Sequence, residues 1–147
     1  VPWEILSYGP VNLNAKGKEF SFNDFDKIAQ FWESFHRDNS LKGETFGLSL
    51  PSKPDQFERF YYLTACREEN SIKDSISIEI PKKQYAVFTH LGKADNLMET
   101  FNYIWGRWVF EEKNFLIDGI DFELYPENYD PGDENGSCKI FLPIKNI

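Results

Sequence analysis

An acidic residue stands inside an apolar, aromatic stretch late in the sequence. The stretch reads Gly-Ile-Asp-Phe-Glu-Leu-Tyr and ends at Tyr125. Side chains alternate along a β-strand, so Phe122 and Leu124 share one face, which we expect to be core. Asp121, Glu123 and Tyr125 then point to the opposite surface. If that surface is an aromatic groove, the Glu123 carboxylate is poorly solvated there and must bind a cation or keep a proton.

Aromatic residues are abundant enough to line such a groove. The chain of 147 residues contains 14 Phe, 7 Tyr and 4 Trp, which together make up 17% of the sequence. That ring surface exceeds what a modest core needs, so part of it can recognise flat or apolar ligands. The alternative, that the rings are all core, stays open at this point.

The charge of the chain limits the classes of partner. Its formal net charge is −8, which argues against a nucleic-acid partner because phosphate binding needs a basic face. An acidic field attracts cations instead. The sequence contains no apolar run long enough for a signal peptide or a membrane span, so we expect a soluble, cytoplasmic protein that binds no membrane.

Cysteine and histidine provide no site of their own. Cys66 and Cys138 are too few for a disulfide framework or a cysteine zinc site, and we expect both thiols to be free and half-buried. His36 and His90 belong to no metal-ligand spacing or nucleophile arrangement. We therefore expect no metal, no cofactor and no catalytic residue of these types.

Two helices are predicted from apolar residues that recur every three to four positions. The first begins after a cap at Ser21 or Asn23 and carries the stripe Phe25, Ile28, Ala29, Trp32 and Phe35. The second runs from about Asp95 to about Phe110, and its apolar side contains Leu97, Phe101, Ile104, Trp105 and Trp108.

The remaining apolar runs predict strands separated by turn residues. One strand is interrupted near Gly9-Pro10, since proline cannot donate to a ladder. A turn is predicted over residues 51–55, and the strand after it pairs back on the one before. The predicted strands are Trp3 to Tyr8 with Val11 to Ala15, Glu44 to Leu50, Phe57 to Arg67, Asp74 to Ile80, Gln84 to Leu91, Gly119 to Tyr125 and Cys138 to Ile144.

The sequence repeats itself once, which predicts a duplicated fold. In the helices Trp32 aligns with Trp105, and in the strands Gly47 aligns with Glu123. Both matches occur in the same order in the two halves, about 1–70 and 71–147. We predict a single α+β domain over residues 1–147 with two pseudo-symmetric strand-helix-strand-strand halves. A groove between them has room at the glycine and charge at the glutamate.

Four segments of the second half match the sequence pattern of a known family in order and spacing. The first half matches that pattern more loosely through Trp32, Gly47 and Tyr61-Tyr62-Leu63. The four are Tyr85 to Gly92, Tyr103 to Trp108, Asp121 to Tyr125 and Ile140 to Ile144. In order and spacing the chain resembles the GyrI-like small-molecule-binding domain. This is the effector-binding fold of multidrug-sensing bacterial regulators of the AraC and MerR types, and it also occurs as stand-alone proteins.

The resemblance implies a saddle-shaped antiparallel sheet with two helices on one face and a ligand groove between the halves on the other. It also implies that Glu123 is a pocket carboxylate that meets lipophilic, cationic aromatic ligands. Trp105 and Phe141 depart from the residues that are commoner at their positions. With Gly47 from the repeat, the predicted ligand-binding residues are Glu123, Tyr125, Trp108, Trp105, Tyr62, Phe141 and Gly47.

Two other functions stay open beside ligand binding. The resemblance extends to hydrolases of strained electrophilic compounds, in which Glu123 would activate water while Tyr125 or Tyr62 donates to the leaving atom. It extends also to topoisomerase inhibitors, whose acidic surface mimics DNA. Related regulators carry their own DNA-binding helices, for which this sequence has no spare length. We therefore expect its protein partner, if it has one, to be a separate DNA-binding regulator.

Overall fold

In the part of the chain that the structure describes, the strands form one antiparallel sheet, and two helices pack against one of its faces. The structure is a computed structural model that describes residues 1–51 and 58–147. The strands are β1 Trp3–Tyr8, β2 Val11–Ser21, β3 Thr45–Pro51, β4 Arg59–Arg67, β5 Ile76–Ile80, β6 Lys83–Leu91, β7 Phe115–Ile117, β8 Phe122–Tyr125 and β9 Ser137–Asn146. The first helix, α1, is Phe25–Asp38. The predicted α+β class is confirmed.

The second helix, α2, changes its winding along its length. It consists of a 3₁₀ turn Ala94–Asn96, an α-helix Leu97–Tyr103, a π-helical stretch Ile104–Trp108 and a last α turn Val109–Glu111. A π turn holds more residues than an α turn and rotates the side chains that follow. The expectation that Trp105 lies on the buried side of this helix is wrong, because its side chain is 42% exposed.

The sheet order has the symmetry that the repeat predicted. Its strands run β1-β6-β9-β8-β3-β4-β2-β5, with β7 also paired to β9. Each half therefore contributes an inner set of three strands, and β8 and β3 meet at the centre. The outer strands are exchanged, since β1 pairs with β6 of the second half and β5 pairs with β2 of the first.

This exchange corrects the prediction of one interrupted first strand. The chain leaves β1 at Gly9, whose φ of +93° is a backbone conformation that favours glycine, and enters β2 at Val11 beyond Pro10. Because β1 and β2 lie near opposite ends of the strand order, the sheet must curl to bring those ends together. Gly9 accordingly lies against the carbonyl of Pro81, in the turn between β5 and β6.

The two faces of the curled sheet carry separate cores. On one face a cluster includes Phe46, Leu63, Phe122, Leu124 and Phe141, so the expected burial of Phe122 and Leu124 is confirmed. On the other face α1 packs over Phe20, Phe60, Tyr62 and Cys66, and α2 packs over Ala86, Phe88, Ile140 and Leu142.

Strand β4 pairs antiparallel to β3 as predicted. Most of the turn predicted over residues 51–55, and the predicted strand start at Phe57, lie outside the described residues. Within ranges 1–51 and 58–147, neither helix has the length and hydropathy needed to cross a bilayer. The two cysteines are free, but both are buried rather than half-buried.

Candidate functional site

The two halves meet at strand β8, which places Glu123 at the centre of the sheet. Glu123 pairs with Gly47 on β3 and with Ile140 on β9. Directly opposed residues share a face of a sheet, and Ile140 belongs to the core under α2. Glu123 therefore points to the face that carries the helices.

The expectation of a groove on the face without helices is therefore wrong. The face of Phe122 is filled by the larger core cluster, because the curl of the sheet folds that face onto itself. The face of Glu123 keeps an open region at its middle, with α1 over one half of the sheet and α2 over the other.

Two tyrosine hydroxyls donate hydrogen bonds to the Glu123 carboxylate, and a tryptophan supports one of them. Glu123 is only 6% exposed. Its Oε1 accepts from the hydroxyl of Tyr62 on β4, at 2.7 Å, and from that of Tyr125, at 3.2 Å. Behind Tyr62, the indole Nε1–H of Trp32 on α1 donates to the Tyr62 hydroxyl at 3.0 Å. Among the residues that the structure describes, the partners of the carboxylate are thus phenols and include no basic side chain.

Gly47 makes room for this arrangement. A Cβ added at Gly47 would overlap the Tyr62 hydroxyl and would lie 2.7 Å from Oε1 of Glu123. Heavy atoms that are not bonded to each other rarely approach so closely, so only glycine leaves the two groups in place. The repeat therefore aligns a glycine with a glutamate because the carboxylate and the Tyr62 hydroxyl occupy the space that a Cβ at Gly47 would need.

Burial changes the protonation of the site. Burial, with the charge of Asp121 as a further cause, raises the pKa of Glu123 to about 7, although the bonds from Tyr62 and Tyr125 act in the opposite direction. Burial and the neighbouring carboxyl raise the pKa values of both tyrosines well above 10. At neutral pH both phenols are therefore donors, and Glu123 exchanges readily between its charged and neutral forms.

A cavity of about 650 Å³ opens beside this network, between α1 and the loop that joins β8 to β9. Trp32 and Tyr125 form part of its wall, and Glu123 lies behind them. The volume suits a drug-sized molecule with several rings. The lining residues are Ala29, Trp32, Glu33, His36, Asn39, Leu41, Gly43, Thr45, Ala94, Tyr125, Pro126, Glu127, Asn128, Tyr129 and Pro131.

The cavity has an acidic mouth. Glu33 on α1 and Glu127 on the loop both line it, and its described lining includes no lysine or arginine. Oε2 of Glu127 accepts from the backbone N–H of Gly43 at 3.0 Å, which ties the loop to the segment before β3. His36 stacks on Trp32, and burial lowers its pKa, so the imidazole is neutral at pH 7. Such a mouth favours cations over anions.

The structure brings together four of the seven residues predicted from the sequence. Glu123, Tyr125, Tyr62 and Gly47 lie in one contact network. Their role in binding stays a prediction, but their proximity is now established.

The other three predicted residues lie elsewhere. Phe141 is on the opposite face of the sheet, where its ring stacks on Phe122 with centroids 4.6 Å apart. Trp108, at the end of the π-helical stretch of α2, is buried against Trp3 and Phe88. Trp105 is exposed on the π turn. Their placement at the groove is corrected, since strand pairing and the winding of α2 direct them away from Glu123.

Two residues that line the cavity were not among the predicted ligand-binding residues. Trp32 was placed only in the buried stripe of the first helix, yet it both lines the cavity and bonds to Tyr62. Tyr129 lies in the loop after β8, and its ring packs on Tyr125 with centroids 4.9 Å apart. The repeat aligned Trp32 with Trp105, but only Trp32 faces the groove. For Tyr129, the sequence feature that could have indicated a place in the cavity wall is an aromatic residue inside a polar loop.

Comparison with known sequences places the chain in a family. The sequence profile described as the GyrI-like small molecule binding domain matches residues 10–145. The transcriptional regulator BrlR of Pseudomonas aeruginosa is 26% identical over 129 residues, which cover 81% of this chain and 47% of BrlR. The chain thus spans about half the length of this curated relative.

Solved structures share the fold at lower identity. SAV2435 bound to tetraphenylphosphonium superposes with a TM-score of 0.70 and 21% identity, covering 99% of this chain and 94% of that one. An integron cassette protein of Vibrio cholerae gives 0.73 and 16%, covering 97% and 95%. EcmrR in a DNA complex gives 0.69 and 15%, covering 99% of this chain and 58% of EcmrR. With the sequence profile, these findings show that the chain belongs to the family of GyrI-like small-molecule-binding domains.

Proposed function

We propose that this domain binds lipophilic, cationic aromatic molecules in the cavity between α1 and the β8–β9 loop, with Glu123 as the counter-charge. The observation that carries the proposal is a buried carboxylate held by two phenols beside an aromatic cavity. A buried carboxylate without a basic partner is costly to ionise, and a ligand cation would relieve that cost.

The cavity walls support the apolar part of the proposal. Trp32, Tyr125 and Tyr129 present rings to the same space. Rings near a cation stabilise it by about 0.5–2 kcal/mol per contact, in addition to the apolar surface that a ligand buries. The acidic mouth at Glu33 and Glu127 would attract cations before they enter.

The comparisons add a precedent. SAV2435 shares the fold and has been solved with tetraphenylphosphonium, a lipophilic cation surrounded by four rings. BrlR is a transcriptional regulator, and EcmrR has been solved with DNA. We therefore propose further that ligand occupancy in this domain is sensed by a DNA-binding regulator, either as a separate partner or within the same polypeptide.

Tryptophan fluorescence tests the binding proposal, because Trp32 lies in the cavity wall. The protein is titrated at pH 8 with tetraphenylphosphonium and with triphenylphosphine oxide, a neutral molecule of similar ring content. We expect saturable quenching by both. Glu123→Gln should weaken binding of the cation roughly 10- to 100-fold, as for two charges roughly 6–12 Å apart at an effective dielectric constant of about 20. The neutral probe should bind Glu123→Gln and wild type alike.

A matched control removes the same charge elsewhere. Glu4 is exposed on β1, so Glu4→Gln should leave both affinities unchanged. Equal affinity of the cation for wild type and Glu123→Gln would contradict the counter-charge role.

The hydrolase alternative is tested by incubating strained electrophiles with the protein and measuring how much unchanged compound remains. Glu123-dependent consumption of these compounds would replace binding by catalysis as the function.

A further inference from the structure

While Glu123 is ionised, the hydrogen bonds from Trp32 to Tyr62 and from Tyr62 to Glu123 run in one direction. An indole N–H donates and cannot accept, so the Tyr62 oxygen is the acceptor of the 3.0 Å bond from Trp32. The hydroxyl of Tyr62 then directs its single proton to Oε1 of Glu123, at 2.7 Å. The tryptophan on α1 thereby fixes which way the phenol on β4 donates.

This direction favours the charged form of the carboxyl group. An ionised carboxylate only accepts hydrogen bonds, and Oε1 receives one from Tyr62 and another from Tyr125. A phenol that itself accepts a bond becomes a stronger donor, because successive hydrogen bonds polarise one another. A neutral Glu123 would instead carry its own proton, and the two bonds at Oε1 would weaken.

The other groups around Glu123 do not favour its charged form. Asp121 on β8 raises the pKa of Glu123 by repulsion. Cys138 on β9 stays protonated, since burial raises its pKa to about 12, and Tyr129 in the loop has a pKa raised to about 12 as well. His36 on α1 is neutral at pH 7, and β3 contributes Gly47 and the uncharged Thr45. The phenol donors, together with a backbone hydrogen bond to the carboxylate, are thus what opposes burial and Asp121.

We propose that Trp32 is a positioning residue that acts through Tyr62 to keep Glu123 charged, and that it thereby sets the preference of the site for cations over neutral ligands. This inference rests on the proposed function, in which Glu123 is the counter-charge of a ligand cation. Trp32 also lines the cavity, so the ring available for stacking and the N–H that acts on the carboxylate belong to one side chain.

The first test needs no ligand. The carboxyl carbon of Glu123 is followed by ¹³C NMR in wild type and in Trp32→Phe as the pH is raised from 5 to 9. We expect the titration midpoint to be higher in Trp32→Phe. An unchanged midpoint would overturn the inference even if the protein binds cations. Should Trp32→Phe fold poorly, the benzothiophene analogue of tryptophan at position 32 keeps the ring size and removes only the N–H.

The second test separates the N–H from ring stacking. Tetraphenylphosphonium carries no titratable proton, so the pH dependence of its binding comes from the protein. At pH 7, Trp32→Phe should weaken binding of the cation by about threefold to tenfold more than binding of triphenylphosphine oxide, because both probes lose the same ring surface and only the cation loses the effect of one net hydrogen bond. In a Tyr62→Phe background the same substitution should weaken the two probes equally.

The outcomes distinguish the two proposals. Equal losses for both probes, or the same loss with and without the Tyr62 hydroxyl, would mean that Trp32 acts by stacking alone and would overturn the inference. If neither probe binds wild type while the NMR midpoint still rises in Trp32→Phe, the proposed function fails. The control of Glu123 charge by Trp32 would then stand.

Discussion

Gly47 on β3 and Glu123 on β8 face each other across the centre of the sheet, and the glutamate carboxylate occupies the space above the glycine. This pair joins the two halves of the fold at a point where they differ in size and charge. The Tyr62 hydroxyl fills the rest of that space. The geometry of the carboxylate therefore depends on the absence of a single Cβ atom.

Gly47→Ala should displace Tyr62 or Glu123 and weaken the hydrogen bond between them. We expect a loss of about 1–3 kcal/mol in the free energy of unfolding, as for other overpacked sites, with weaker binding of tetraphenylphosphonium. Urea denaturation and fluorescence titration measure the two effects. Gly106→Ala is the matched control, because a Cβ there meets no atom within 4 Å. It should be neutral or stabilising, and equal losses in both variants would contradict the steric argument.

The alternation of side chains near Glu123 could be predicted because it is local. The faces of Phe122 and Glu123 follow from the period of two along one strand, and the structure agrees. The face of the groove could not be predicted in this way. It depends on the curl that brings β1 to β6 and fills the Phe122 face with core, and pairing between strands far apart in sequence leaves no local signal.

The three misplaced aromatic residues fail for two physical reasons. Phe141 pairs with Phe122, so it shares the core face, and this register was unknown from the sequence alone. Trp105 lies in a π turn, where the spacing of 3.6 residues per turn no longer predicts direction, and Trp108 at the end of that turn packs against β1 and β6. The helical stripe predicted a buried Trp32, whereas the side chain is half-buried and also lines the cavity.

Glu123 should make the protein less stable as the pH rises. Its pKa is about 7 in the folded protein, above its usual value of 4.5, so the folded state holds the proton longer than the unfolded state. The contribution of Glu123 to the free energy of unfolding is full below about pH 4.5 and is lost as the pH rises to about 7. The free energy of unfolding lost in this way is on the order of 3 kcal/mol. Glu123→Gln should thus gain stability over wild type between pH 5 and pH 8, as measured by urea denaturation.

The comparison between variant and wild type is needed because other groups titrate too. Burial lowers the pKa of His36, so the contribution of His36 to the free energy of unfolding rises with pH, whereas that of Glu123 falls. Glu79→Gln, at an exposed position of β5, should follow the wild-type curve at every pH. A constant difference between Glu123→Gln and wild type from pH 5 to pH 8 would argue that Glu123 is ionised throughout.

Both cysteines should be inert in the folded protein. Burial raises the pKa of Cys66 to about 11 and that of Cys138 to about 12, so the reactive thiolate is scarce at pH 7.4. We expect a disulfide reagent such as Ellman's to modify neither thiol until urea unfolds the chain, after which both should react. Rapid modification of one thiol before unfolding would indicate local opening, and the variants Cys66→Ser and Cys138→Ser would identify which strand opens.

Phe141 and Tyr125 should separate stability from binding, because they lie on opposite faces of the sheet. Phe141 stacks on Phe122 in the core, so Phe141→Leu should cost on the order of 1 kcal/mol in the free energy of unfolding and leave cation affinity unchanged. Tyr125 lines the cavity and donates to Glu123. Tyr125→Phe keeps the ring and removes the donor, so it should weaken binding of tetraphenylphosphonium by about threefold to tenfold. Titration and denaturation of both variants at pH 8 should therefore give opposite patterns. A loss of affinity in Phe141→Leu as large as that in Tyr125→Phe would show that the two faces are coupled, and the site would then extend through the sheet.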